Sequence, residues 1–208
     1  MTHFFSATRF FSCVGKFVLL ILLLTGLAVP TLHACVGKTL LVGSLGDPQQ
    51  QIMAQMLSIL ISERTGTSIK IVPMKSHAEA HDALLRADLD MYVEYTGVGQ
   101  VTLLKDQPIA DADELYKAVK ERYNQELNLI WLKPFGFADA RIAPEGTVAD
   151  AAPVVRKDTL KKFPALARLI NKLGGAIDNS AMDKLEKDSA SGNYKEVARK
   201  FLKENRFI

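Results

Sequence analysis

The sequence predicts an α/β fold built on a mostly parallel sheet flanked by helices, and two observations predict it. Short apolar runs alternate with longer stretches of helical period in the order β-α-β-α-β, which argues for parallel strands joined by helical crossovers. Nearly every change of period is marked by Gly, Pro or a capping residue. In such sheets ligands bind outside the carboxyl ends of the strands, which here are Gly43-Ser44, Pro73-Met74 and Glu94-Tyr95-Thr96-Gly97.

Residues 39–42, Thr-Leu-Leu-Val, form a short apolar run ended by Gly43-Ser44 and read as a buried strand. Asp47-Pro48-Gln49-Gln50 is a helix start: Asp47 caps, Pro48 suits the first turn, and Gln50 stands where a capping box has Glu or Gln. Ile52, Met53, Met56, Ile59 and Leu60 follow at helical spacing, and Thr65-Gly66 closes the element. A strand over 68–72 stops at Pro73, a helix runs over about 76–87, and Met91-Tyr92-Val93 is the third strand. Residues 111–126 make an amphipathic helix with Leu115, Val119 and Tyr123 on one face. Residues 129–132 are a fourth strand, ended by Lys133-Pro134. The stretch 135–152 is rich in Ala, Gly, Asp and Pro, has no clear period, and is expected to be the least structured. Val154-Val155 is a further strand. Two or three helices carrying Leu166, Leu169, Ile170, Val197, Phe201 and Leu202 complete the chain.

Composition narrows the function classes. The 208 residues carry a formal charge of +3. Removing residues 1–35, with Arg9 and Lys16, leaves +1. A nearly neutral chain gives no electrostatic case for nucleic acid, whose binding needs clustered Lys and Arg. Residues 1–35 read as a signal peptide: Arg9 and Lys16 precede an apolar run over 17–29 that is short for a membrane span and has the length of a signal core. An uncleaved anchor helix is the alternative. The leader ends in Leu32-His33-Ala34-Cys35, which resembles the lipobox of bacterial lipoproteins, with His33 an unusual occupant. Cys35 is then the lipidated mature N-terminus and the anchor to the membrane. Ordinary cleavage after Ala34, leaving a free thiol, is the other reading.

Three segments carry a family resemblance. They are Leu41-Val42-Gly43-Ser44 with the Gln-rich helix start, Asp90-Met91-Tyr92-Val93-Glu94-Tyr95-Thr96-Gly97, and Ala152-Pro153-Val154-Val155-Arg156-Lys157-Asp158-Thr159-Leu160. The last is continued by Phe163-Pro164-Ala165-Leu166 and by residues 196–202. Together they resemble the glycine betaine, carnitine and choline binding proteins of osmoprotectant ABC importers. The resemblance implies a type II periplasmic-binding-protein-like fold, export to the periplasm or the outer face of the cell membrane, and a permease as partner. Members of that family hold ligand between two lobes. Here residues 36–208 match one lobe, and 138–152 stand as a shortened bypass where the second lobe is expected. About fifteen residues are too few for a lobe with its own core.

The resemblance also implies the site. A quaternary ammonium has no N–H to donate and is recognised by the faces of aromatic rings. Tyr95 matches a family ring position, and Thr96 beside it can donate a hydrogen bond. Ser44 and the backbone near Asp47 lie at a helix N-terminus suited to a carboxylate. Val98 and Leu45 stand where relatives carry polar groups, and rings from the second lobe have no counterpart. With one ring per copy, cleft closure calls for a homodimer sharing Tyr95, or for the permease itself.

No catalytic residue or cofactor is expected. His77 and His81 are four apart on a helix and can share a metal in principle, but with no third ligand in the pattern they read as a solvated helix face. The expected function is therefore non-catalytic capture of a quaternary-ammonium osmoprotectant for an importer. The alternative is a single-lobe interaction or sensory module of the cell envelope that has lost the ligand.

Overall fold

A computed structural model describes residues 39–208. The leader and Cys35 lie outside the described residues. Five strands, β1 (Leu40–Ser44), β2 (Ile69–Pro73), β3 (Met91–Tyr95), β4 (Leu129–Trp131) and β5 (Ala151–Arg156), form one sheet in the order β2-β1-β3-β5-β4. β1 pairs in parallel with β2 and β3, while β5 runs antiparallel to both β3 and β4. Four strands therefore share one direction and β5 is reversed. The expectation of a mostly parallel sheet holds, and the sheet is mixed. The reversal follows from the connection: the chain runs on from β4 to residue 139 bonded to the returning strand and turns back through 140–148, with none of the helical crossover that a parallel return needs.

Helix α1 (Pro48–Thr65) starts where the sequence places it. Asp47 Oδ1 accepts from the Gln50 N–H at 2.9 Å, Pro48 sits in the first turn, and Gly66 ends the helix at φ 69° with its N–H on Ser62 O. The capping box does not close: Gln50 instead reaches across the core and donates from Nε2 to Val93 O at 3.0 Å. Helices α2 (His77–Leu85) and α3 (Ala112–Arg122) are capped by Ser76 and Asp111. A π-helical turn, Val98–Leu103, leaves β3, and a second, Tyr123–Leu127, extends α3. The C-terminal part holds α4 (Lys157–Lys162), α5 (Leu166–Ile170), α6 (Asn179–Asp188) and α7 (Tyr194–Glu204).

Both faces of the sheet are covered, which is why all five residues of β3 are buried. One face packs Val42, Met91, Val93 and Tyr95 against Ile52, Met53, Met56 and Leu60 of α1, with Leu166, Ile170 and Leu202 beyond. The other packs Tyr92 and Val154 against Ala80 and Leu84 of α2 and Leu115 and Val119 of α3. At the amino edge, Asp90 ties three elements together. Its carboxylate accepts from the Leu41 N–H at 2.9 Å and from the Thr159 hydroxyl at 2.7 Å. Its backbone O accepts from Arg156 N–H at 3.1 Å.

The stretch expected to be least structured is half ladder. Leu132 N–H donates to Pro153 O at 2.9 Å, Phe135 N–H to Ala151 O at 2.9 Å, Ala151 N–H to Phe137 O at 3.1 Å, and Asp139 N–H to Ala149 O at 3.0 Å. Only residues 140–148 are left as a loop. Its amino-terminal end is fastened: Arg141 grips Asp139 with two 2.8 Å hydrogen bonds and reaches Glu186 of α6 at 3.0 Å. Asn179 exchanges two hydrogen bonds with the Ala138 backbone, at 3.0 and 3.1 Å.

Candidate functional site

The carboxyl edge of the sheet brings Ser44, Tyr95 and Thr96 to one end of the fold, at adjacent strand ends. Ser44 ends β1, is 1% exposed, and its hydroxyl donates to Leu45 O at 3.2 Å. Tyr95 ends β3, is 2% exposed, and donates its hydroxyl to Gln49 Oε1 at 3.0 Å. A ligand that touches this ring must displace part of its cover. Burial, then Asp47 and Asp139, hold the Tyr95 phenol far above its ordinary pKa, so the ring stays neutral in a locally negative field.

Thr96 is fully engaged with the returning chain. Its N–H donates to Asp150 O at 3.0 Å and its hydroxyl donates to Val148 O at 3.3 Å while accepting from Asp150 N–H at 3.1 Å. The loop continues over Gly97, where an added Cβ would lie 2.4 Å from Thr147 Oγ1 and 2.5 Å from Val148 O. Gly97 is thus required by close approach; its φ of −64° suits any residue.

Strand alternation sends Glu94 to the opposite face from Tyr95. The Glu94 side chain is fully buried. Oε1 accepts from the Tyr95 N–H at 2.8 Å, and Oε2 accepts from the Tyr92 hydroxyl at 3.1 Å. His77, the first residue of α2, lies across the strand end. Its Nδ1 is 2.8 Å from Glu94 Oε1, and its ring meets Tyr95 edge-on at 5.8 Å between centroids. The contact becomes an ion pair when His77 is protonated. Burial disfavours the charge on His77, but Glu94 and Asp47 outweigh it and hold its pKa above the ordinary histidine value. His81, one turn on, is 8% exposed and packs edge-on against Tyr123. Burial, opposed by Glu94 and Asp82, lowers its pKa.

The reading of His77 and His81 as a solvated face is therefore wrong. They form the inward face of α2, because that helix starts directly above the β3 terminus. Among the described residues no three His, Cys, Asp or Glu side chains gather as a metal site. Sequence reasoning missed Glu94, Gln49 and His77 as neighbours of Tyr95. The available signal was an acid inside an otherwise apolar strand, which has to find a partner.

Known proteins resemble this chain along nearly all of the described residues. A family model described as the substrate binding domain of ABC-type glycine betaine transport systems matches residues 38–143 and 139–204. The carnitine transport binding protein OpuCC of Listeria monocytogenes (serotype 1/2a, strain 10403S) is 28% identical over 170 residues, covering 78% of this chain and 52% of its own length. The ergothioneine transport permease/ergothioneine binding protein EgtU of Helicobacter pylori (strain G27) is 31% identical over 126 residues, covering 57% of this chain and 21% of its own length. The chain thus spans about half the length of the first of these, or less. The crystal structure of a glycine betaine/carnitine/choline ABC transporter superposes with a TM-score of 0.76 at 19% identity, covering 83% of this chain and 99% of that one. Apo YehZ from Escherichia coli gives 0.71 at 16% identity, covering 83% and 100%. At these identities the structural likeness is one of fold.

Proposed function

Because the chain belongs to the family of substrate binding domains of ABC-type glycine betaine transport systems, we propose that it captures a small quaternary-ammonium osmoprotectant outside the cytoplasm and hands it to an ABC permease. No bond is made or broken in that task. The supporting observation is Tyr95: an aromatic ring at the carboxyl edge of β3, in the field of Asp47, Asp139 and Glu94. A cation with no N–H is attracted both by the ring face and by that charge. Cys35, if acylated, tethers the protein to the membrane from outside.

Relatives are named for carnitine and for ergothioneine, and a trimethylated nitrogen and a carboxylate on one small molecule are what glycine betaine, carnitine and ergothioneine share. One ring contributes about 0.5–2 kcal/mol, so a single lobe binds weakly alone. We propose that the cleft is completed by a second copy facing Tyr95, or by the permease. The two family matches meet at 139–143, and the ladder closes around 140–148, which supports reading 138–152 as a built bypass of the second lobe.

One observation favours the second reading, an interaction or sensory module without ligand: Tyr95 and Thr96 are 2% and 0% exposed. Thermal unfolding of the leaderless chain with glycine betaine, carnitine, choline and ergothioneine separates the two. A ligand that binds only the folded state raises Tm, by about 2.7 kcal/mol of added stability at a hundred times its Kd. A concentration-dependent rise supports capture; flat melts at millimolar ligand support the interaction module.

A further inference from the structure

Resting on the reading of Cys35 as an acylated tether, we infer that the amino edge of the sheet is a docking surface for a bilayer of anionic phospholipid. The nearly neutral total charge conceals a polarity along the chain. Residues 157–208 carry 12 Lys and Arg against 7 Asp and Glu, whereas residues 36–156 carry 12 against 16. The fold gathers much of that basic excess in one place.

Arg64 lies in the last turn of α1, just before β2, and its Nε donates to Phe207 O at 2.7 Å. That bond brings the chain end, with Lys203 and Arg206, to the amino edge. Because β5 is reversed, Arg156 and Lys157 arrive there too, and the Thr159 hydroxyl on Asp90 holds α4 across the edge. Lys162 follows Thr159 by three residues, about 4.5 Å of helix rise. Among the described residues, Arg64, Lys157, Lys162, Lys203 and Arg206 have no carboxylate within 4.0 Å. The acids nearby are already engaged. Asp88 is 3.0 Å from Arg86, Asp158 is 3.2 Å from Lys161, Glu204 is 3.9 Å from Lys200, and Asp90 is buried. A surface of unpaired cations attracts anionic headgroups within a Debye length.

Two further observations select a membrane over a soluble polyanion. Leu85 ends α2 on this edge and is the one large apolar side chain among the described residues left exposed, at 43%. It borders a pocket of about 200 Å³ lined by Leu84, Leu127, Leu129 and Arg156. Phe207 and Ile208 are only half buried beside Arg64. Apolar groups set among Lys and Arg suit the headgroup boundary, where both kinds of side chain find partners. The tether is the second observation. β1 begins at Leu40 on this edge, and Cys35 precedes it by five residues, which span at most about 17 Å. An acyl chain on Cys35 therefore brings this edge nearest the bilayer. The docked protein turns its Tyr95 edge outward, where ligand arrives, and delivery to a permease requires release from the lipid.

The test is vesicle sedimentation of the chain from Val36 onward, whose core lies within residues 39–208, so that docking is read without the acyl chain. Vesicles of phosphatidylcholine are compared with vesicles that also hold about 30% phosphatidylglycerol. Binding to the anionic vesicles alone is expected, falling at least ten-fold or so between about 50 and about 300 mM salt. Lys162→Gln with Lys203→Gln should weaken it about ten-fold. Lys75→Gln with Lys133→Gln removes the same charge from exposed positions on the opposite edge and should change it less than about two-fold. Leu85→Gln should weaken vesicle binding and leave binding to heparin unchanged. All of these variants should melt with the wild type, since the positions are exposed. No preference for anionic vesicles, or equal losses from the two lysine pairs, overturns the inference. Heparin binding as tight as vesicle binding, with no effect of Leu85→Gln, makes the edge a site for soluble polyanions and overturns it as well. Acylation of Cys35 is read separately, from the mass of the full chain recovered from membranes, and ligand capture from the betaine melts. Failure of either reading is thus told apart from failure of docking.

Discussion

Thr96 and Asp150 bond each other in both directions: Thr96 N–H donates to Asp150 O at 3.0 Å, and Asp150 N–H donates to Thr96 Oγ1 at 3.1 Å. The pair joins the end of β3 to the start of β5 and clamps the bypass loop over the strand terminus. Thr96→Val keeps the shape and removes the acceptor for a buried N–H. Such a loss costs about 1–3 kcal/mol. Urea unfolding should show the midpoint lowered with an unchanged slope; an unaltered midpoint would mean the clamp is not formed in solution.

Gly97 tests the same contact from the other side. A Cβ there meets Thr147 Oγ1, which can swing away, and Val148 O, which is backbone and cannot. Gly97→Ala should destabilise by roughly 1–3 kcal/mol, as overpacking does. It should also speed amide exchange at Thr147, whose N–H bonds Pro144 O at 3.1 Å. Normal stability and exchange would place the loop elsewhere.

Asp90 carries no site chemistry and should matter to folding alone. Asp90→Ala strands the Leu41 N–H and the Thr159 hydroxyl, both of which it serves within 2.9 Å. A loss of about 2–4 kcal/mol is expected, since the bonds are charge-assisted. A cost below about 1 kcal/mol in denaturant would contradict the role assigned to it.

His77 gives a pH signature. Its folded pKa is raised, so the stability it adds is fully present below the unfolded value of about 6.5 and is lost as pH rises through the folded one. His81 acts oppositely: its pKa is lowered, so its stability is present above about 6.5 and lost as pH falls toward the folded value. The imidazole proton resonances should show His77 titrating later than a free histidine and His81 earlier. Glu94→Gln should bring His77 down. Coincident titrations in the wild type would contradict the His77–Glu94 pair.

Helix α1 and the first three strands were legible because their signals are local. Asp47-Pro48 starts the helix, Gly66 ends it, and each strand is a short apolar run between breakers. The direction of β5 was not legible, because it depends on how far the chain travels after β4 and on nothing within Ala151–Arg156 itself. The order in 135–152 was hidden for a similar reason: its hydrogen bonds join residues across the loop, such as Phe135 and Ala151, and leave no period. Tyr95 and Thr96 were placed at the right edge of the sheet. Their burial escaped notice, since it comes from Gln49 and from the returning residues 148–150. The link between His77 and Glu94 needed the start of α2 set above the end of β3, a relation of packing rather than of spacing.

The most direct test of ligand capture is calorimetry of the leaderless chain with glycine betaine, paired with Tyr95→Ala and with the protein's mass measured in the same buffer. Saturable heat that vanishes in Tyr95→Ala is expected, together with a mass that doubles when ligand is present if a second copy completes the cleft. Saturable heat that survives Tyr95→Ala, or no heat at millimolar ligand, would contradict it.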